Sequence, residues 1–258
     1  MNEPRRHDER PAWRRELHGI YVVAKKDAMI YYLKPPVLIF GVLFPVFFFL
    51  AFAMGRDVAP AVFAPGVLAM ALFFTASAVG PLVTPWERRA KTYERLVSSP
   101  VSQLSIILGD VAAGACFGLV LSLVPLVLAC VFTDAAVSAP VVLVMGITLS
   151  AACFAALGVL LASPATSNPS QVMMLANLVR LPLIFISGVF VPLAAMPAWS
   201  RSLLPLSPLS YATDLVRVSF GEATYFPLWL DVIMLVGFTV AFVGAARVFH
   251  RRSLEKGL

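Results

Sequence analysis

The chain has 258 residues, of which 60% are hydrophobic and 13% charged. Soluble domains run nearer about 45–50% apolar and about 25% charged, and a body of this length cannot bury so much apolar surface, so an ordinary soluble domain is excluded and lipid is the expected solvent. The formal charge of +6 comes from 20 Lys and Arg against 14 Asp and Glu, but the cations fall in clusters parted by apolar runs, and a nucleic-acid partner, which needs a continuous cationic face, is not expected.

The first element in chain order is residues 12–34, where Trp13, Leu17, Ile20, Ala24, Ala28 and Tyr31 recur at three- and four-residue steps and Arg14, Arg15, Lys25 and Lys26 take other positions. That pattern predicts an amphipathic helix lying in the membrane interface, with Trp13, Tyr21, Tyr31 and Tyr32 at headgroup depth. Runs of about twenty apolar residues then suffice to cross the hydrocarbon. They predict six spans, at 35–55, 58–84, 108–132, 140–162, 171–192 and 228–246. The fourth and fifth are parted by Ser163-Pro164-Ala165-Thr166-Ser167-Asn168-Pro169, whose prolines and polar residues end one helix before the next begins.

Between the second and third spans, residues 86–97 predict a short, densely charged helix with Trp86, Ala90, Tyr93 and Val97 on one stripe, ended by Ser98-Ser99-Pro100. Two readings stand for it: a helix shaped for a partner protein's groove, and a solvated loop helix. An even span count puts both termini on one side. All Lys and Arg except Arg56, Arg180, Arg201 and Arg217 lie in the termini or the 87–110 loop, so the positive-inside rule predicts a multi-pass protein of the plasma membrane with both termini cytoplasmic.

Arg180 is the clear full charge deep inside a predicted span, where Asp110 and Asp231 stand near span ends. An arginine at mid-span costs about 2.5–3.5 kcal/mol on insertion scales, so it needs water, a partner or the interface. It either snorkels to the cytoplasmic surface, two turns away, or contacts cargo. Cys116, Cys130 and Cys153 form no CxxC pair and read as small core residues, with no disulfide or metal role.

The residues for bond chemistry are missing. No lysine follows a glycine, so GxxxxGK[ST] is absent; His7, His18 and His250 lie outside the spans; and HExxH and paired intramembrane carboxylates are lacking. No catalytic residue, metal site or bound cofactor is therefore expected on this chain. An ion-coupled secondary transporter or channel is the alternative, although mid-membrane acidic or histidine relays are sparse.

Two stretches carry a resemblance. Glu87-Arg88, Thr92, Glu94, Leu96, Ser99-Pro100-Val101-Ser102 and Leu108-Gly109 resemble the cytosolic loop of type-2 ABC exporter permeases. Asn177-Leu178, Pro182-Leu183, Phe185-Ile186-Ser187-Gly188, Phe190, Pro192-Leu193, Met196-Pro197-Ala198-Trp199, Pro208-Leu209-Ser210-Tyr211, Asp214 and Arg217 are similar to the fifth span and following extracellular segment of the drug-resistance and lipo-oligosaccharide export branch. The resemblance implies an all-α membrane protein whose single permease domain fills the chain, with a cytosolic coupling helix at 86–97 and short re-entrant extracellular helices across 193–226. It also implies a dimer with a second permease copy and a separate ABC ATPase subunit that carries ATP and Mg. Glu87, Arg88, Thr92, Tyr93 and Glu94 would then couple to the ATPase, and Asn177, Arg180 and Ser187 would line the path of an amphiphilic drug, lipid or glycolipid. Arg89, Lys91, Asp110 and Arg180 depart from the family's usual residues.

Overall fold

A computed structural model describes residues 12–31, 39–53, 60–90, 102–132, 136–164, 168–191, 193 and 196–255. Among them no strand occurs. The helices are α1 (Ala12–Tyr31), α2 (Phe44–Ala53, entered through a π-helical turn at Ile39–Leu43), α3 (Pro60–Arg89), α4 (Gln103–Phe132), α5 (Pro140–Ala162), α6 (Pro169–Phe185), α7 (Ala198–Arg201), α8 (Pro208–Ser219, after a 3₁₀ turn at Leu204–Leu206) and α9 (Leu228–Glu255).

Proline opens α5, α6 and α8, where its fixed φ suits the first turn and its missing N–H is no loss. Asn168 adds a side-chain cap to α6, accepting from the Ser170 backbone N–H at 3.1 Å. Among the described residues, α3, α4, α5 and α9 are long and apolar enough to cross a membrane, and α6 is a shorter apolar helix. In the predicted first span, 35–55, the described residues form the π turn and the ten-residue α2; 35–38 and 54–55 lie outside the described residues.

The core is built around α3, which is buried without interruption from Phe63 to Val83 and on to Pro85. A helix apolar on every side is expected inside the bundle, and α3 packs against α4, α5, α6 and α8. Small residues let the backbones meet. A Cβ on Gly80 would stand 2.6 Å from the Gly158 carbonyl carbon, and one on Gly114 2.8 Å from the Ala76 oxygen, the close approach that membrane helices use when no hydrophobic force pulls them together.

Apolar stripes face outward elsewhere: Val120, Leu123, Val127 and Val131 on α4, Met174, Leu178, Leu181 and Phe185 on α6, and Trp229, Ile233 and Val240 on α9. In water such faces are a liability; against hydrocarbon they are the expected exterior. The same geometry corrects the cysteine reading, because Cys116 and Cys130 lie on exposed faces of α4 and Cys153 alone among the three is buried. It also adjusts α1. Ile20, Ala24 and Ala28 are half-buried and Val23 and Asp27 fully buried, whereas Trp13 and Leu17 stay exposed. The helix packs one side on α4, where Val23 sits over Gly109, and leaves the other free.

α3 runs between two polar junctions. Near its start, Arg217 of α8 donates to the Val62 carbonyl at 3.4 Å; at its far end Glu87 pairs with Lys26 of α1. These are the α8 end and the α1 end of the molecule.

Candidate functional site

At the α1 end the last turn of α3 is held by charges from two directions. Lys26 lies 3.1 Å from the Asp27 carboxylate and also pairs with Glu87. Arg88 donates to the carbonyls of Pro164 and, at 3.4 Å, Ser163, at and just past the C-cap of α5. Burial pulls the Lys26 ammonium down, yet the Asp27 and Glu87 charges outweigh it and hold its pKa above the ordinary lysine value.

Asp110, the departure noted in the sequence, is 5% exposed and faces Asp27, which is 0% exposed. It lies two turns inside α4 rather than at a free span end, so an acidic pair joins α1 to α4. Glu16 supplies a second tie: its carboxylate accepts from Ser102 Oγ at 2.6 Å and from Ser105 Oγ. These hydroxyls hold the Glu16 carboxyl below the usual range. A cavity of about 410 Å³ opens beside them, lined by Ile20, Leu108 and Arg247 among others.

Of the expected coupling residues, then, Glu87 and Arg88 are half-buried and engaged inside the chain, in the final turn of α3 and not on a separate helix. Ala90 continues that turn, its N–H donating to the Trp86 carbonyl at 2.9 Å. Thr92, Tyr93 and Glu94, with the rest of the expected 86–97 helix, lie outside the described residues.

The expected path residues separate. Ser187 is fully buried and its hydroxyl donates to the Ile184 carbonyl at 2.8 Å. Asn177 is half-buried. Arg180 is 2% exposed and falls on the inward line of α6 with Val172, Ala176 and Ile184. It does not snorkel. Its Nη2 donates to the Ser77 carbonyl in the middle of α3. The structure thus does not gather Asn177, Arg180 and Ser187 around one opening.

At the α8 end Asp214 and Arg217 hold the polar contacts. Asp214 accepts from Tyr225 N–H at 3.1 Å and Phe226 N–H at 2.8 Å. Arg217, 3% exposed, donates to both Glu222 oxygens at 2.9 Å and to the Gly188 carbonyl at 3.3 Å. Gly188 and Gly221 hold φ of 73° and 90°, which only glycine adopts freely, and they turn the chain out of the helices that precede them. α8 itself is buried among α3, α5 and α9, with Leu209, Tyr211 and Leu215 in the main core. Among the described residues no group of His, Cys, Asp and Glu side chains is arranged to hold a metal ion.

Residues 18–220 match the ABC-2 type transporter family, a span that takes in α2 to α8 and most of α1. The chain belongs to that family. Among curated relatives it is similar to the daunorubicin resistance ABC transporter permease protein DrrB1 of Streptomyces coeruleorubidus, at 30% identity over 112 residues, 43% of this chain and 38% of that protein. It is also similar to the inner membrane transport permease YadH of Escherichia coli, at 28% identity over 152 residues, 59% of each chain. The matched part covers less than two thirds of either relative's length. The family is one of membrane permeases, and the long apolar helices are those of a multi-pass membrane protein.

The Lys26–Asp27–Glu87–Asp110 junction was not legible beforehand as a unit. Glu87 was singled out by resemblance and Asp110 as an acid in an otherwise apolar run, but nothing in the sequence joined them to each other or to Lys26 and Asp27.

Proposed function

We propose that this permease is the conduit of an ATP-driven exporter, moving an amphiphilic drug, lipid or glycolipid from the cytoplasm or inner leaflet to the outside. ATP and Mg bind a separate ABC ATPase subunit, the conduit is a dimer of this chain, and both termini are cytoplasmic. The family match over residues 18–220 carries the reading, and one relative's name supports a drug-like cargo.

In the proposed cycle, ATP binding draws two ATPase subunits together and they push on the chain that follows Arg88, including Thr92, Tyr93 and Glu94. Force enters α3 through its last turn, which Glu87 ties to α1 and Arg88 ties to α5. The helices then reopen outward as rigid bodies. Weaker cargo affinity in the outward state makes the movement directional. Asn177, half-buried on α6, is the path residue most available to cargo.

Capture of the tagged chain from its own membranes is expected to recover an ATPase bearing GxxxxGK[ST]. Proteoliposomes holding both, loaded with daunorubicin or a fluorescent phospholipid as probes, are expected to show flux that requires ATP. Flux of the chain alone, driven by an ion gradient, would support the secondary-transporter alternative instead.

A further inference from the structure

We infer that Arg180 is a positioning residue that braces a proline hinge in α3. Pro81 has no N–H, so the Ser77 carbonyl, four residues earlier, lacks its α-helical donor, and the proline ring crowds that carbonyl away from the helix axis. A bare carbonyl this deep in an apolar bundle is costly.

Two residues from other helices answer it. Gly158 of α5 makes room: a Cβ there would collide with the Ser77 oxygen and stand 2.8 Å from its carbonyl carbon. Arg180 of α6 supplies the missing donor through Nη2. Among the described residues no carboxylate pairs with Arg180, and its Nε has no partner. A guanidinium enters so apolar a place at high cost. The orphan carbonyl gives it one partner there: Nη2 supplies the hydrogen bond that Pro81 cannot.

The consequence is directional. Beyond the hinge lie residues 81–89, which end in Glu87 and Arg88, so the angle of that segment against α6 is set where Arg180 grips Ser77. Calling the segment a lever rests on the proposed function; the grip itself does not. Cargo need not touch Arg180 at all.

The test is a double-mutant cycle in nanodiscs with the full chain. Restoring an N–H with Pro81→Ala gives Ser77 its helical donor and removes the need for Arg180. Arg180→Leu alone is expected to lower the folded-to-unfolded ratio about tenfold, as a buried acceptor loses its partner. In the Pro81→Ala background the same change is expected to cost less than about twofold.

Spin labels at Arg89→Cys and Ser170→Cys, with Cys116 and Cys130 replaced by Ser, read the angle directly. The parent is expected to give one narrow distance distribution, Arg180→Leu a broad one, and Pro81→Ala a narrow one that adding Arg180→Leu leaves unchanged. If Arg180→Leu does not fold by itself, the comparison within the Pro81→Ala background still decides. Equal losses from Arg180→Leu in both backgrounds, or a parent-like narrow distribution in Arg180→Leu, would overturn the brace. None of these readouts requires transport, so failure of the brace and failure of the exporter reading are separable.

Discussion

The α8 end and the α1 end use similar residues to opposite effect. At the α8 end the shortest ties are local, Arg217 to Glu222 and Asp214 to Tyr225 and Phe226, while Arg217 also reaches Val62 and Gly188 and buried Asp231 has no hydrogen-bond partner among the described residues. At the α1 end the ties run between distant helices, Lys26 to Glu87, Arg88 to Pro164 and Glu16 to Ser105, the last beside an open cavity, and the carboxyl groups of Asp27 and Asp110 face each other. Ties that are mostly local make the α8 end a cap. Long-range pairing with an excess of carboxylates makes a junction between helices, and it is at this end that the proposed cycle delivers force.

Three substitutions break or sharpen this contrast. The largest effect is expected from Arg217→Leu at the α8 end, which strips the donor from Gly188 and Val62 and isolates Glu222. Because Glu222 is partly exposed, the cost falls toward the low end for a broken pair, about 3 kcal/mol, read as a fall in thermal unfolding temperature in nanodiscs. A change within the error of that measurement would remove the cap. Next comes Gly158→Ala, whose methyl meets the Ser77 backbone; overpacking of this kind costs about 1–3 kcal/mol, and lower yield with earlier unfolding is expected.

The smallest effect belongs to the α1 end. Asp110→Asn removes one of two facing carboxylates and keeps the shape, so relief of repulsion offsets the lost charge pairing. Unfolding is expected to change by less than about 1 kcal/mol, or to shift upward. A loss as large as that of Arg217→Leu would show that the α1 end is as rigidly specified as the α8 end.

How far these features were visible beforehand follows from the physics of each. The long spans were legible because about twenty apolar residues without charge have few other uses. The cysteines of α4 were misplaced for the same reason. Hydropathy does not separate a lipid-facing side from a packed one when the solvent is itself apolar. Asp214 and Arg217 were picked out through resemblance, and their local spacing to Tyr225 and Glu222 is of the kind a chain reading can reach. The brace was out of reach. Pro81 and Gly158 are ordinary in their own helices, Arg180 stands out there only as a charge without a named partner, and only the folded bundle brings the three to one carbonyl. Arg180 therefore stood between snorkelling and cargo, and the structure shows its guanidinium turned inward onto the Ser77 carbonyl.

Hydrogen exchange on the permease bound to its ATPase, compared between the nucleotide-free complex and one trapped with a non-hydrolysable ATP analogue, tests the central claim most directly. The account predicts altered protection in α1, the last two turns of α3 and the start of α4, with residues 204–227 unchanged. Altered protection confined to 204–227, with the α1 end still, would contradict it.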